Sequence, residues 1–184
     1  MTAAARGRDA RLRRVRLVVC DVDGVLTDGT ITLTARSGEG KNFSVLDGTG
    51  FALAGLAGLP CALLSGRRSA VVMERARECG VSLVVQGVSE KAPAFAALCR
   101  RVGVAEQETA YLGDDLIDLP VFDQAGLAIA PADARPEVRA QAHWVLRAPG
   151  GRGAVREAIE GILRAQDVWD RVLARYLRGD VAKA

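Results

Sequence analysis

Short apolar runs rich in β-branched residues alternate along the chain with longer stretches of helical periodicity. Residues 15–20 (VRLVVC) are almost continuously apolar, the pattern of a strand covered on both sheet faces. Residues 61–64 (CALL), 82–85 (SLVV), 109–112 (TAYL), 127–130 (LAIA) and 144–146 repeat that type. Between them, the spacing of apolar positions predicts helices over 50–57, 69–78, 91–102, 116–125 and 135–141. Strand and helix in regular alternation predict an α/β fold, three-layered and Rossmann-like, with a central parallel sheet.

One segment departs from the alternation. Residues 30–34 (TITLT) and 42–46 (NFSVL) have period-two character on either side of a Gly-rich turn at 36–40, which predicts a β-hairpin inserted after the first strand. At this size it is a flap, so no large cap domain is expected. Residues 152–177 carry Leu, Ile, Val and Trp at helical spacing and predict a helical C-terminal extension. The expected organisation is a basic lead-in over 1–14, one domain over 15–165 with the flap at about 30–46, and a helical tail over 166–184.

Composition narrows the function classes. The chain has 184 residues, 49% hydrophobic and 26% charged, enough for a single domain with a sizeable core. Its formal charge of +3 looks mildly basic, but residues 1–16 hold six arginines against Asp9 alone, so the remaining 168 residues sum to −2. A basic end on a slightly acidic body, with 4% aromatics, does not make a nucleic-acid-binding face. No apolar run approaches the roughly 18 residues of a membrane span, and the Arg-rich start lacks the apolar stretch of a secretory signal. It reads as a solvated lead-in. Cys20, Cys61, Cys79 and Cys99 lie in apolar segments without Cys-x-x-Cys spacing, so reduced thiols and a cytoplasmic location are expected.

The candidate chemistry sits at strand ends. Asp21-Val22-Asp23-Gly24 follows the first strand, and ligands of open α/β sheets bind outside the carboxyl ends of the strands. Alone, such a sequence is most often a solvated turn. Other strand ends add Ser65-Gly66-Arg67 and Gly113-Asp114-Asp115-Leu116-Ile117-Asp118, and Lys91 opens the helix after the 82–85 strand. Taken singly, Asp115 and Asp118 are ordinary helix-capping residues, and Lys91 an ordinary solvated cation. Together, five carboxylates at one sheet end repel by on the order of 4 kcal/mol per pair at about 4 Å and an effective dielectric near 20. A positive charge must sit among them. An oxygen-only donor set without His or Cys selects a hard cation, and Mg²⁺ suits a few carboxylates, water and a substrate phosphate. The sole histidine, His143, reads as structural.

In order and placement, Asp21-x-Asp23-Gly24-Val25, Ser65-Gly66-Arg67, Lys91 and Gly113-Asp114-Asp115-x-x-Asp118 resemble the four motifs of the haloacid dehalogenase-like phosphatases. Leu26-Thr27-Asp28-Gly29, the flap, Asp47-Gly48-x-Gly50 and Gly150-Gly151-Arg152-Gly153 resemble the small capless branch typified by 3-deoxy-D-manno-octulosonate 8-phosphate phosphatase. The resemblance implies that Asp21 is the nucleophile and forms an aspartyl phosphate, and that Asp23 is the acid and base. It also implies that Mg²⁺ is held by the Asp21 carboxylate, the Asp23 main-chain carbonyl and Asp114, with Asp115 and Asp118 in support. Ser65 and Lys91 would hold the phosphoryl oxygens, and Gly24, Thr27, Asp47, Gly66, Arg67 and Arg152 would line the substrate site. Leu46 stands where branch members usually carry arginine, which removes one contact to an acidic substrate. The implied substrate is a small phosphorylated sugar acid, the octulosonate 8-phosphate of lipopolysaccharide biosynthesis first, with a nonulosonate 9-phosphate or another small phosphosugar as the alternative. The implied assembly is a homotetramer.

Two readings from other classes compete. A signalling receiver module also uses an acidic pair, a phosphorylated Asp, a hydroxyl residue and a lysine, but places its acidic pair before a phosphoacceptor on a separate strand. A non-catalytic oligomerising domain would have no need of an intact Asp21, Asp23, Lys91 and Asp114.

Overall fold

The computed structural model describes residues 3–33 and 38–180. Among these, six strands form one parallel sheet: β1 (Leu17–Cys20), β4 (Cys61–Ser65), β5 (Leu83–Gln86), β6 (Thr109–Leu112), β7 (Leu127–Ala130) and β8 (Trp144–Val145). They run in the order β5-β4-β1-β6-β7-β8. β1 is therefore central, with Val19 paired to Ala62 of β4 on one side and Tyr111 of β6 on the other. Period two splits its side chains between two cores. Val18 and Cys20 pack on the side of α2 (Val45–Ala57), α3 (Ala70–Glu78) and α7 (Ala154–Ala165). Leu17 and Val19 face α4 (Lys91–Val102), α5 (Leu119–Phe122) and α6 (Pro136–Gln141). Both faces are covered, so the apolar continuity of these strands follows from burial.

The predicted three-layer α/β architecture is the one observed, and no cap domain is present among the described residues. Several boundaries differ. The 116–125 helix is a 3₁₀ turn over Leu116–Asp118 followed by the short α5, which carries Pro120 in its first turn. The tail is two helices, α7 and α8 (Trp169–Leu177), broken at Gln166–Val168 where Asp167 takes a positive φ of 59°.

Two expectations change more. The flap is smaller than its sequence pattern: β2 (Thr32–Leu33) pairs antiparallel with β3 (Glu39–Gly40), whereas residues 42–46 form no strand. Phe43 makes one bridge to Thr27, and Ser44 then caps α2, accepting from the Leu46 N–H at 3.1 Å. An N-cap serine outcompetes strand propensity at this point. The expected turn at 36–40 falls partly on residues 34–37, outside the described residues.

The basic lead-in is a helix, α1 (Ala3–Arg13). Leu12 is buried, the Arg11 guanidinium donates to the Gly126 carbonyl at 2.6 Å, and Arg8 lies 5.6 Å over the Trp144 ring. Composition concealed this, because arginine stems cover apolar surface while their charges stay in water.

Candidate active site

Parallel strands deliver their carboxyl ends to one edge, and the chain breaks of β1, β4 and β6 place Asp21, Ser65 and Asp114 there together. The Asp21 N–H donates to the Leu112 carbonyl at 2.9 Å, extending the ladder one residue past β1 and fixing where its carboxylate leaves the sheet. A tight loop follows, in which the Leu26 and Thr27 N–H groups both donate to the Val22 carbonyl at 2.9 and 3.0 Å. Gly24 has φ 92°, and a side chain there would strike the Asp114 carboxylate. Glycine is needed twice over, for the positive φ and for the close approach. Gly150 approaches from the far side, where a Cβ would land on the Gly24 carbonyl oxygen, and the Gly151 N–H donates to Val25 at 2.9 Å. The Gly-rich segment before α7 thus braces the loop that carries both aspartates.

At the centre is a buried charge cluster. Lys91, 4% exposed, opens α4 and places Nζ 2.8 Å from Asp21 Oδ1 and 2.7 Å from Asp118 Oδ1. Asp118 has no exposure, and both its oxygens are occupied. Oδ1 also accepts from the Tyr111 hydroxyl at 2.7 Å, and Oδ2 accepts the Asp114 and Asp115 N–H groups at 3.0 and 3.2 Å. Asp118 therefore shapes the 113–115 loop and anchors Lys91. Asp115 is exposed, and its carboxylate caps the 3₁₀ turn through the Leu116 N–H at 2.7 Å.

Asp114 is different. Its Oδ1 is buried without a hydrogen-bond partner among the described residues. Burial, with Asp21 and Asp118 nearby, pushes its carboxyl up to about 8. Burial and Asp118 likewise raise Asp21 to about 7, against the lowering effect of Lys91. Burial opposes the Lys91 ammonium, yet Asp21 and Asp118 outweigh it and hold its pKa above the ordinary value. One lysine does not balance three carboxylates whose oxygens lie within 4.8 Å of one another. The orphaned oxygen, the all-oxygen donor set and the charge deficit fit a divalent hard cation.

The phosphate side is partly assembled. Ser65 is buried at the end of β4, its Oγ accepting the Arg67 N–H at 3.2 Å. Gly66 and Arg67 are exposed beside it, and the Arg67 Nε lies 4.0 Å from Asp23 Oδ2. Arg152 is exposed near Asp28, whose carboxyl is held low mainly by the Thr30 N–H and to a smaller extent by Arg152. Two expected substrate residues have other work. Thr27 is fully buried, its hydroxyl donating to the Val22 carbonyl and accepting the Gly24 and Gly29 N–H groups, so it organises the loop. Asp47 is also fully buried and accepts the Gly153 and Arg156 N–H groups at 3.1 and 3.0 Å, which satisfies the start of α7. Neither side chain is left open to a substrate. His143 is structural as expected, with Nδ1 accepting the Ala128 N–H at 2.9 Å.

The sequence reading missed Lys41. Its side chain has no exposure, and its ammonium pairs with Asp23 Oδ1 and with Glu39 Oε1, the latter at 3.2 Å. A signal was present: with 22 arginines, the chain has only three lysines, and two of them, Lys41 and Lys91, meet the aspartates of the first motif.

An acidic pair at the end of a central parallel strand, a buried lysine anchored by a late aspartate, and an orphaned carboxylate suited to a hard cation define a metal-dependent phosphoryl-transfer site. A family model described as haloacid dehalogenase-like hydrolase matches residues 69–159. The chain is 43% identical over 157 residues to the 3-deoxy-D-manno-octulosonate 8-phosphate phosphatase of Yersinia pestis, covering 85% of this chain and 84% of that protein. A crystal structure of the Y. pestis protein superposes with a TM-score of 0.87 at 41% identity, covering 89% of each chain. The corresponding phosphatase of Moraxella catarrhalis, solved in complex with a magnesium ion, a phosphate ion and a KDO molecule, superposes with a TM-score of 0.88 at 36% identity, covering 91% of this chain and 97% of that one. The chain belongs to the haloacid dehalogenase-like hydrolase family.

Proposed function

We propose that the protein is a Mg²⁺-dependent phosphomonoesterase that hydrolyses 3-deoxy-D-manno-octulosonate 8-phosphate through an aspartyl-phosphate intermediate. The observation that carries this reading is the Asp114 carboxylate, whose buried Oδ1 has no hydrogen-bond partner among the described residues, beside Asp21 and Asp118. Similarity to the Y. pestis phosphatase over most of both chains, and to the M. catarrhalis structure with Mg²⁺, phosphate and KDO, supports the substrate.

The Asp21 and Asp114 carboxylates and the Asp23 main-chain carbonyl would hold the ion, which supplies positive charge to the carboxylates and to the phosphoryl oxygens when bound. Asp21 attacks phosphorus through a carboxylate oxygen, and the bond from phosphorus to the sugar oxygen breaks. Asp23 gives its proton to the departing alkoxide, then removes one from the water that attacks the aspartyl phosphate. Inorganic phosphate leaves and Asp21 is restored. Lys91, fixed by Asp118, and the Ser65 hydroxyl orient the phosphoryl oxygens, so the buried pair serves as positioning and charge neutralisation together. The exposed Arg67 and Arg152 suit a substrate carboxylate or hydroxyl, since a guanidinium fork matches such groups.

The protein works as a homotetramer in which a neighbouring copy completes the pocket beside the flap. Leu33 of the flap and Val45 at the start of α2 are large apolar side chains exposed by 77% and 78%, which supports self-association on this side. Its place is the cytoplasm, with four free thiols, and among the described residues no helix is long and apolar enough to cross a membrane. Residues 15–165 act as the catalytic domain and 166–184 as its tail, whose helix α8 packs on α2 and α7.

Purified protein with Mg²⁺ should release phosphate from the octulosonate 8-phosphate in preference to nonulosonate 9-phosphates and simple hexose phosphates, and Asp21→Asn should abolish release. A wild-type protein inert across that panel refutes the reading.

A further inference from the structure

The flap segment after β3 is fastened to the loop after β1 at three successive points. Lys41 pairs with Asp23, Asn42 lies beside Asp28 and contributes to holding its carboxyl low, and Phe43 bridges Thr27. Flap and catalytic loop are therefore joined by side-chain and main-chain contacts. Between them, the Lys41 side chain is wholly buried while Asp23 keeps 22% exposure. A buried ammonium is tolerated only when paired, and among the described residues the carboxylates of Asp23 and Glu39 pair it. Its position is thus fixed from both sides. Asp23 in turn stands between two cations from different elements, with Lys41 at Oδ1 and the Arg67 Nε 4.0 Å from Oδ2.

We propose that Lys41 is a positioning residue for the acid–base carboxyl of Asp23: the flap supplies an ammonium that occupies Oδ1, fixes the rotamer, and leaves Oδ2 as the oxygen that passes the proton. Asp23 lies on a loop rather than on a strand, so its own backbone does not determine where the carboxyl points. Lys41 does, and Glu39 holds Lys41 in place. Proton transfer needs the carboxyl within hydrogen-bond reach of the leaving oxygen, and misplacement by about 1 Å costs on the order of a hundredfold in rate. The flap therefore acts on the chemical step as well as covering the site. The inference rests on the reading of Asp23 as acid and base.

Lys41→Met and Lys41→Arg test it, assayed with Mg²⁺ on the sugar-acid phosphate. The expected result for Lys41→Met is a kcat lowered about 10- to 100-fold, the scale set by misplacing a catalytic group, with KM changed less than about threefold. Lys41→Arg should regain most of the kcat. A residue that only stabilises the flap would move KM or the melting temperature and would show no such recovery. Wild-type kcat in Lys41→Met, a loss confined to KM, or a Lys41→Arg variant no better than the Met variant overturns the proposal. If Lys41→Met melts below the assay temperature, Lys41→Gln, whose neutral amide on a shorter stem does not reach Oδ1 as the ammonium does, should likewise lose kcat with KM little changed, and wild-type kcat in it overturns the proposal. A wild-type enzyme without activity would sink the phosphatase reading itself, whereas an active wild type with an unaffected Lys41→Met would sink this inference alone.

Discussion

Lys91→Met isolates the charge balance of the site. Among the described residues the lysine is the only ammonium within 3 Å of Asp21 and Asp118, at 2.8 and 2.7 Å, and it is almost wholly buried. Methionine fills the stem volume, so the perturbation is loss of charge with little cavity. Removing one partner of a buried ion pair costs about 3–5 kcal/mol. In a chain of this size that is a melting temperature lower by roughly 6–20 °C, at about 2–4 °C per kcal/mol. The pH dependence carries the stricter test. Asp21 and Asp114 sit at about 7 and about 8 in the folded protein, against an ordinary 3.8, and the charge of Lys91 lowers both. Carboxyls raised on folding stabilise the native state at low pH, and that stability is lost as pH climbs from near 4 through 7 and 8. Without Lys91 both values rise further, so the deficit against wild type should be largest at pH 8 and smaller at pH 6. Calorimetric melts in a chelating buffer at the two values would measure it, and saturating Mg²⁺ should restore part of the loss. A melting point within about 2 °C of wild type at pH 8, less than about 1 kcal/mol on the same scale, or a deficit that grows toward pH 6, refutes the argument.

The remaining predictions concern the metal and the assembly. Asp114→Asn replaces a carboxyl forced toward protonation by a neutral amide, so the chelated protein at pH 8 should melt higher than wild type, while the rise in melting temperature on adding Mg²⁺ disappears. A ligand at a hundred times its Kd stabilises by about 2.7 kcal/mol, so the missing rise is readily seen, and a variant that keeps it contradicts the placement of the ion. Light scattering should give a solution mass near four chains, and Leu33→Glu with Val45→Glu should lower it; a wild-type monomer removes the neighbour-completed pocket.

The apolar character of residues 17–20, 61–65, 109–112 and 127–130 is legible because burial on both sheet faces leaves no solvent-facing position inside these strands. The order of turns that follow them was enough to bring Asp21, Ser65, Lys91 and Asp114 to one edge, since parallel strands deliver all their carboxyl ends to the same side. Sequence alone determined this much: the layers, the edge and the residues that meet there. It did not determine which side chains remain open. Thr27 and Asp47 carry the same polar groups as a substrate contact, and only the packed loops show those groups used up on the Val22 carbonyl and the Gly153 and Arg156 N–H groups. The lead-in and the flap differ for a related reason. Arg8 and Arg11 form a docked helix because Trp144 and the Gly126 carbonyl await them more than a hundred residues away, and residues 42–46 leave the strand pattern because Ser44 caps a helix. Lys41 reaches Asp23 only because a bridge at Phe43 folds the flap back over the loop. Periodicity and strand-end chemistry are local and survive in the order of residues. The partner that satisfies a buried polar group lies far along the chain, and tertiary structure alone decides which one it is.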